Sequence, residues 1–109
     1  MIGHFLCRFR RHAYHRQLDI TDYTTAINVV AAYRPDVIIN CAAYNLVDKA
    51  EQDTNGVFAV NATGPKNLAS AAASQNALLV HFGSDYVFDG QKENGLYTES
   101  DPVNPLNEY

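Results

Sequence analysis

The sequence predicts an α/β fold, a parallel sheet flanked by helices, and three observations carry that prediction. Residues 37–39 (VII) and 77–82 (ALLVHF) are short, nearly continuous apolar runs, the pattern of strands buried on both faces of a parallel sheet. The segments before and between them repeat their apolar residues at helical spacing. Each run then gives way to small or polar side chains: Asn40, Cys41, Ala42 and Ala43 after the first, Gly83, Ser84 and Asp85 after the second. Ligands of open α/β sheets lie just beyond the carboxyl ends of the strands, so chemistry is expected there, with the Ser84 hydroxyl as the first catalytic candidate. On its own, Ser84 also suits the plainer role of a strand-end serine capping a turn. Strand and helix alternating at these lengths imply right-handed βαβ units and a Rossmann-like sheet, incomplete at both ends.

Composition narrows the class. A chain of 109 residues is one domain at most. Its 47% hydrophobic and 11% aromatic content is enough for a packed core. The net charge of −4 speaks against a nucleic-acid partner. Cys7 and Cys41 form no disulfide framework, which suits a reducing cytoplasm, and Cys41 reads as a small buried hydrophobe. No apolar run approaches the roughly 20 residues of a membrane span, and no signal-peptide stretch follows the basic N-terminus. A cytoplasmic protein without a membrane partner is expected.

Residues 1–16 are the least legible part. Ile2, Phe5, Leu6 and Phe9 are spaced as on a helix, but no cap or turn fixes them, and the segment is read as an unassigned, poorly ordered leader. His4, His12 and His15 lack the spacing and carboxylates of a metal site, so no metal is expected. LDITD (18–22) ends a strand-like piece and opens a helix, with Thr21 or Asp22 as N-cap. Tyr23, Ala26, Ile27, Val30 and Tyr33 form the apolar stripe of that helix, and Pro35 stops it. After the first buried strand, VDKAEQD (47–53) reads as a charged loop or short helical turn whose Asp48, Lys49 and Glu51 form a solvated face.

Val57, Asn61, Gly64, Leu68 and Ala71 mark one face of a second helix running to about Ser74, with a kink or break expected at Gly64–Pro65. Asn76 ends it and the second buried strand follows. Asp89–Gly90 is a turn signal. Residues 91–109 are a long polar loop without periodicity, in which Asn107 would cap a new helix. One edge of such a sheet is left uncovered and invites association with a further copy of the chain.

Five blocks carry a resemblance: LDITD (18–22), RPDVIINCAAYNLVDKAE (34–51), FAVNATGPKNLA (58–69), LVHFGSDYVFDG (79–90) and YTESDPVNPLNEY (97–109). In order and spacing they resemble the dTDP-4-dehydrorhamnose reductases, a family of the extended short-chain dehydrogenase/reductases. VDKAE and SDYVFDG favour that group over the related epimerases and dehydratases. The resemblance implies an NADPH- or NADH-dependent oxidoreductase acting on the 4-keto group of a nucleotide sugar, with residues 17–109 as part of the cofactor-binding domain. It implies that Asp19 and Ile20 border the adenine of the cofactor and that Ala43, Tyr44 and Asn45 line its ribose and nicotinamide side. It further implies that Ser84, where the family usually has threonine, bonds the reacting oxygen, and that Asp85 and Tyr86 border the sugar. Tyr109 matches the tyrosine of the family's Tyr-x-x-x-Lys pair, which supplies the proton. A phenol titrates near about 10, and a lysine one helical turn on favours the phenolate.

Two features depart from the family. It opens with a Gly-x-x-Gly-x-x-Gly turn that holds the pyrophosphate, whereas Gly3 is the only glycine here before Gly56, and no lysine follows Tyr109. Residues 1–109 by themselves are therefore expected to be inactive or nearly so, and to bind cofactor no tighter than about 1 mM. A second expectation, of a different class, is a non-catalytic binding subunit similar to the regulatory β subunit of methionine adenosyltransferase.

Overall fold

The structure, a computed structural model, describes residues 18–109 in full and, before them, the backbone of two short strands, β1 (His4–Cys7) and β2 (Ala13–Tyr14). Apart from those strands, the leader expected over residues 1–16 lies outside the described residues. Phe5 and Leu6 belong to a strand, not to the helical stripe their spacing suggested. β1 pairs antiparallel with β2 and with the strand that follows, an arrangement that satisfies backbone groups along an otherwise open edge.

Residues 18–22 form a turn where a strand end was expected. Asp19 Oδ1 accepts the Thr21 amide at 2.9 Å and its hydroxyl at 2.7 Å, a local bonding pattern that competes with a ladder. Leu18 and Ile20 are nonetheless buried. Helix α1 (Tyr23–Tyr33) starts on Asp22, whose carboxylate accepts the amides of Thr24 at 2.9 Å and Thr25 at 3.3 Å. The Thr25 hydroxyl is the main cause holding that carboxyl below its ordinary value, and the helix-start amides add to it. Ala26 and Val30 reach the core, while Tyr23 stays exposed. The helix closes on Arg34, in the left-handed region at φ 46°, ahead of Pro35.

β3 (Val37–Asn40) is followed by α2 (Val47–Ala50), α3 (Thr54–Phe58), a π-helical segment (Ala59–Thr63), α4 (Gly64–Ser74) and β4 (Leu78–His81). The break expected at Gly64–Pro65 takes the form of that π segment inside a continuous helical run. Pro65 has no N–H and crowds the preceding turn, and the Gly64 amide bonds the carbonyl of Ala59, five residues back. At the far end Asn76 adopts φ 54°, with Asn76 N–H on Ala73 O and Ala77 N–H on Ala72 O, closing the helix as a Schellman motif.

β3 and β4 run parallel, Val37 beside Leu78 through Asn40 beside His81, and the sheet order is β2-β1-β3-β4. This is the α/β, Rossmann-like arrangement that the sequence predicted, with two antiparallel strands added. The core joins Ile38 to Ala26 and Val30 of α1 and to Leu68, Ala71 and Ala72 of α4.

Burial of both strands on both faces did not follow. Ile38 and Asn40 are buried, whereas Ile39, on the opposite face, is 36% exposed; β4, at the sheet edge, leaves Leu78 61% exposed. The core gathers on one face of the sheet, the face packed by α1 and α4. Cys41 is likewise exposed, because it lies past the strand in the loop at its tip.

The aperiodic loop after Phe88 is held by side chains. Asp89 accepts bonds from the Tyr97 hydroxyl at 2.9 Å and from Asn104 Nδ2 at 3.0 Å, and Phe88 stacks on Tyr97 at 4.2 Å. Asp101 takes Lys92 Nζ at 2.7 Å, which with the Thr98 contacts lowers its carboxyl to about 2. Among the described residues no helix is long and apolar enough to cross a membrane.

Candidate active site at the strand tips

A cavity of about 460 Å³ opens at the carboxyl ends of β3 and β4. One wall is the exit of β3, residues 40–43. The other is the exit of β4, where His81, Phe82, Gly83 and Ser84 face it, with Asn61 and Tyr109 completing the rim. Switching from β-branched to small residues produces this shape: Ala42, Ala43 and Gly83 carry nothing larger than a methyl, so a flat ring can lie close to the backbone.

Ser84 caps the short 3₁₀ turn Asp85–Val87, its Oγ accepting the Tyr86 amide at 3.1 Å. The turn-capping role is therefore present. It uses one lone pair and leaves the hydroxyl hydrogen available as a donor. Tyr109 reaches the same cavity from the far end of the chain. Its ring meets Tyr86 edge-on at 5.7 Å, and the neighbouring Glu108 amide bonds Glu51 Oε1 at 3.0 Å. Glu51 thus has a tethering contact beyond the solvated face assigned to it. A second cavity of about 220 Å³ adjoins, also lined by Ser84 and Tyr109, with Tyr86 and Asn107. Asn107 Oδ1 is buried there without a partner.

The other sequence-predicted residues separate. Ala43 lines the larger cavity; Asn45 and Asp85 are exposed and line neither cavity. Tyr44 is a core residue at 8% exposure. Burial, and next the Asp53 carboxylate that its hydroxyl meets, push its phenol up. Asp19 is spent on its own turn, and Ile20 is buried against Gly64, where a Cβ would come within 2.6 Å of Ile20 Cδ1. Neither lines the cavity. The small residues at 42, 43 and 83 leave room for a flat ring in this cavity.

Three polar residues at the site escaped assignment from sequence. Asn40, 1% exposed, accepts the Ala42 amide on Oδ1 at 3.0 Å and faces His81 Nδ1 with Nδ2 at 3.1 Å. With its oxygen occupied, the amide must donate to Nδ1, which puts the neutral imidazole's proton on Nε2. Asn61, from the π segment, holds both backbone groups of Tyr44. Their only signal in the sequence is a polar side chain standing at an apolar position of a strand or helix.

The family described as the RmlD substrate binding domain matches residues 6–109. Over 93 residues, 85% of this chain and 28% of the relative, the sequence is 46% identical to a dTDP-4-dehydrorhamnose reductase of Mycolicibacterium smegmatis. Over 90 residues, 83% of this chain and 30% of the relative, it is 42% identical to the dTDP-4-dehydrorhamnose reductase of Aggregatibacter actinomycetemcomitans. A solved dTDP-4-dehydrorhamnose reductase from Clostridium acetobutylicum superposes with a TM-score of 0.84 at 43% identity, covering 87% of this chain and 34% of that one. One from Bacillus anthracis, in complex with NADP, gives 0.82 at 40% identity with the same coverage. The chain spans about a third of the length of these relatives.

Proposed function

The chain belongs to the RmlD substrate binding domain family, and we propose that its strand-tip cavity serves the NAD(P)H-dependent reduction of a nucleotide sugar, the 4-keto group of dTDP-4-dehydro-6-deoxy-L-mannose, to dTDP-L-rhamnose. The observation that carries this reading is the shared cavity. Ser84 and Tyr109, a strand tip and a distant loop end, line the same space.

Reducing a ketone requires a hydride at carbon and a proton at oxygen. When bound, the nicotinamide supplies the hydride; Ala42, Ala43 and Gly83 are the wall that would receive its ring. Tyr109 gives its phenolic proton to the C4 oxygen as negative charge develops there. Ser84 donates its remaining hydrogen to the same oxygen, a bond that strengthens as the charge grows. The relatives' names support the substrate, and the NADP bound to the Bacillus anthracis enzyme supports the cofactor.

A chimaera tests this reading. Residues 18–109 replace the matching segment of the Mycolicibacterium smegmatis enzyme, and NADPH consumption is followed with the keto sugar. The expected result is turnover that falls about 100-fold or more on Tyr109→Phe. A folded chimaera that binds NADPH without turnover would sink it.

A further inference from the structure

We propose that Glu51 is a positioning residue for Tyr109, its carboxylate holding the backbone of the segment that brings the phenol to the cavity. It rests on the reductase reading only for what that phenol does there. Residues 102–109 form neither helix nor strand, so no ladder fixes where Tyr109 lies. The Asn104 amide on Val87 O at 2.8 Å anchors the start of the stretch. At its end Glu51 Oε1, 57 residues away in sequence, accepts the Glu108 amide at 3.0 Å. An ionised acceptor makes that bond stronger than one between neutral groups.

The tether has a firm base. Glu51 closes α2 with its backbone still in the helical region, and the preceding Ala50 is fully buried in the core. α2 follows the exit of β3, which forms one wall of the cavity. Glu51 therefore ties the residue before Tyr109 to the chain that leaves that wall. The other contacts of Tyr109 do less to set its backbone. Its ring packs against the core and meets Tyr86 edge-on at 5.7 Å, which holds the ring but not the chain that bears it. Asn61 Nδ2 is 3.5 Å from its carbonyl oxygen, at the long limit of a hydrogen bond.

NMR relaxation on the 109-residue chain tests the tether without any ligand, so it stands or falls apart from the chimaera. Glu51→Ala is expected to drop the backbone order parameters of Glu108 and Tyr109 from the rigid range, about 0.85, to below about 0.6. The cross-relaxation between the Tyr86 and Tyr109 rings should weaken at least twofold, while Leu68 in α4 and Leu79 in β4 stay rigid. Glu51→Gln, whose side-chain oxygen still accepts the Glu108 amide, should restore both signals. Equal loosening at Leu68 and Leu79 would make Glu51 an ordinary contributor to global stability and overturn the proposal. So would a Glu51→Ala variant in which Glu108 and Tyr109 stay rigid, a Glu51→Gln variant as loose as Glu51→Ala, or an unmodified chain in which Glu108 and Tyr109 are already mobile.

Discussion

Gly64 shows how a single position can reverse a general rule. A glycine inside a helix is usually improved by alanine, by up to about 1 kcal/mol. Here the added methyl would meet Ile20 at 2.6–2.8 Å, and overpacking of that kind costs about 1–3 kcal/mol. Gly64→Ala is therefore expected to lower stability, measured as the urea midpoint; a rise would show that Ile20 yields freely. Charge acts at the same scale. Asp22, Asp89 and Asp101 are all held below their ordinary value, Asp101 at about 2, by bonds to Thr25, Asn104 and Lys92 respectively before other causes. The folded state keeps these groups ionised to lower pH than the unfolded chain does, so their stabilisation is complete above about pH 4 and is lost as pH falls below that, for Asp101 towards about 2. The thermal midpoint should drop across that window, and Asp101→Asn should make the drop shallower. An unchanged slope would remove Asp101 from the account.

At the level of elements, the sequence was most legible where a single pattern dominates. The start and stop of α1, the end of α4 at Asn76, the two parallel strands and the face of Leu68 and Ala71 all follow from spacing and stop signals. Leu68 is fully buried, and Leu68→Ala should cost about 3 kcal/mol, read from chemical denaturation; a cost below about 1 kcal/mol would contradict its place at the centre of the core. Legibility fell where two tendencies compete. Gly64–Pro65 inside an otherwise helical pattern met a π turn, which spacing alone could not separate from a kink. The turn chemistry of Asp19 overrode a strand-like LDITD. The loop after Phe88 has no period because Asp89, Tyr97, Asn104 and Asp101 order it by long side-chain bonds. At the site, Ser84 and Tyr109 could be found from motif blocks. Asn40, Asn61 and His81 could not, since their roles depend on partners 17 to 41 residues away.

Among the described residues, helices gather on one face of the sheet, while the other face and the β4 edge carry exposed apolar side chains. Leu78 at 61% and Phe82 at 65% exposure make that side adhesive, and a parallel sheet is normally covered on both faces. Sedimentation should show concentration-dependent association of the chain that Leu78→Lys weakens; a monomer at all concentrations would deny the edge that role. The cavity lies at the strand tips, and Ser84 and Tyr109, 25 residues apart in the sequence, both line it. Their joint action on a keto oxygen is tested most directly by kcat/KM of the chimaera with serine, alanine and threonine at position 84. Ser84→Ala is predicted to lose about 100-fold, as removal of one donor to a developing oxyanion does, and Ser84→Thr to recover most of it. An alanine variant within about twofold of the parent would show that the Ser84 hydroxyl never touches the reacting oxygen.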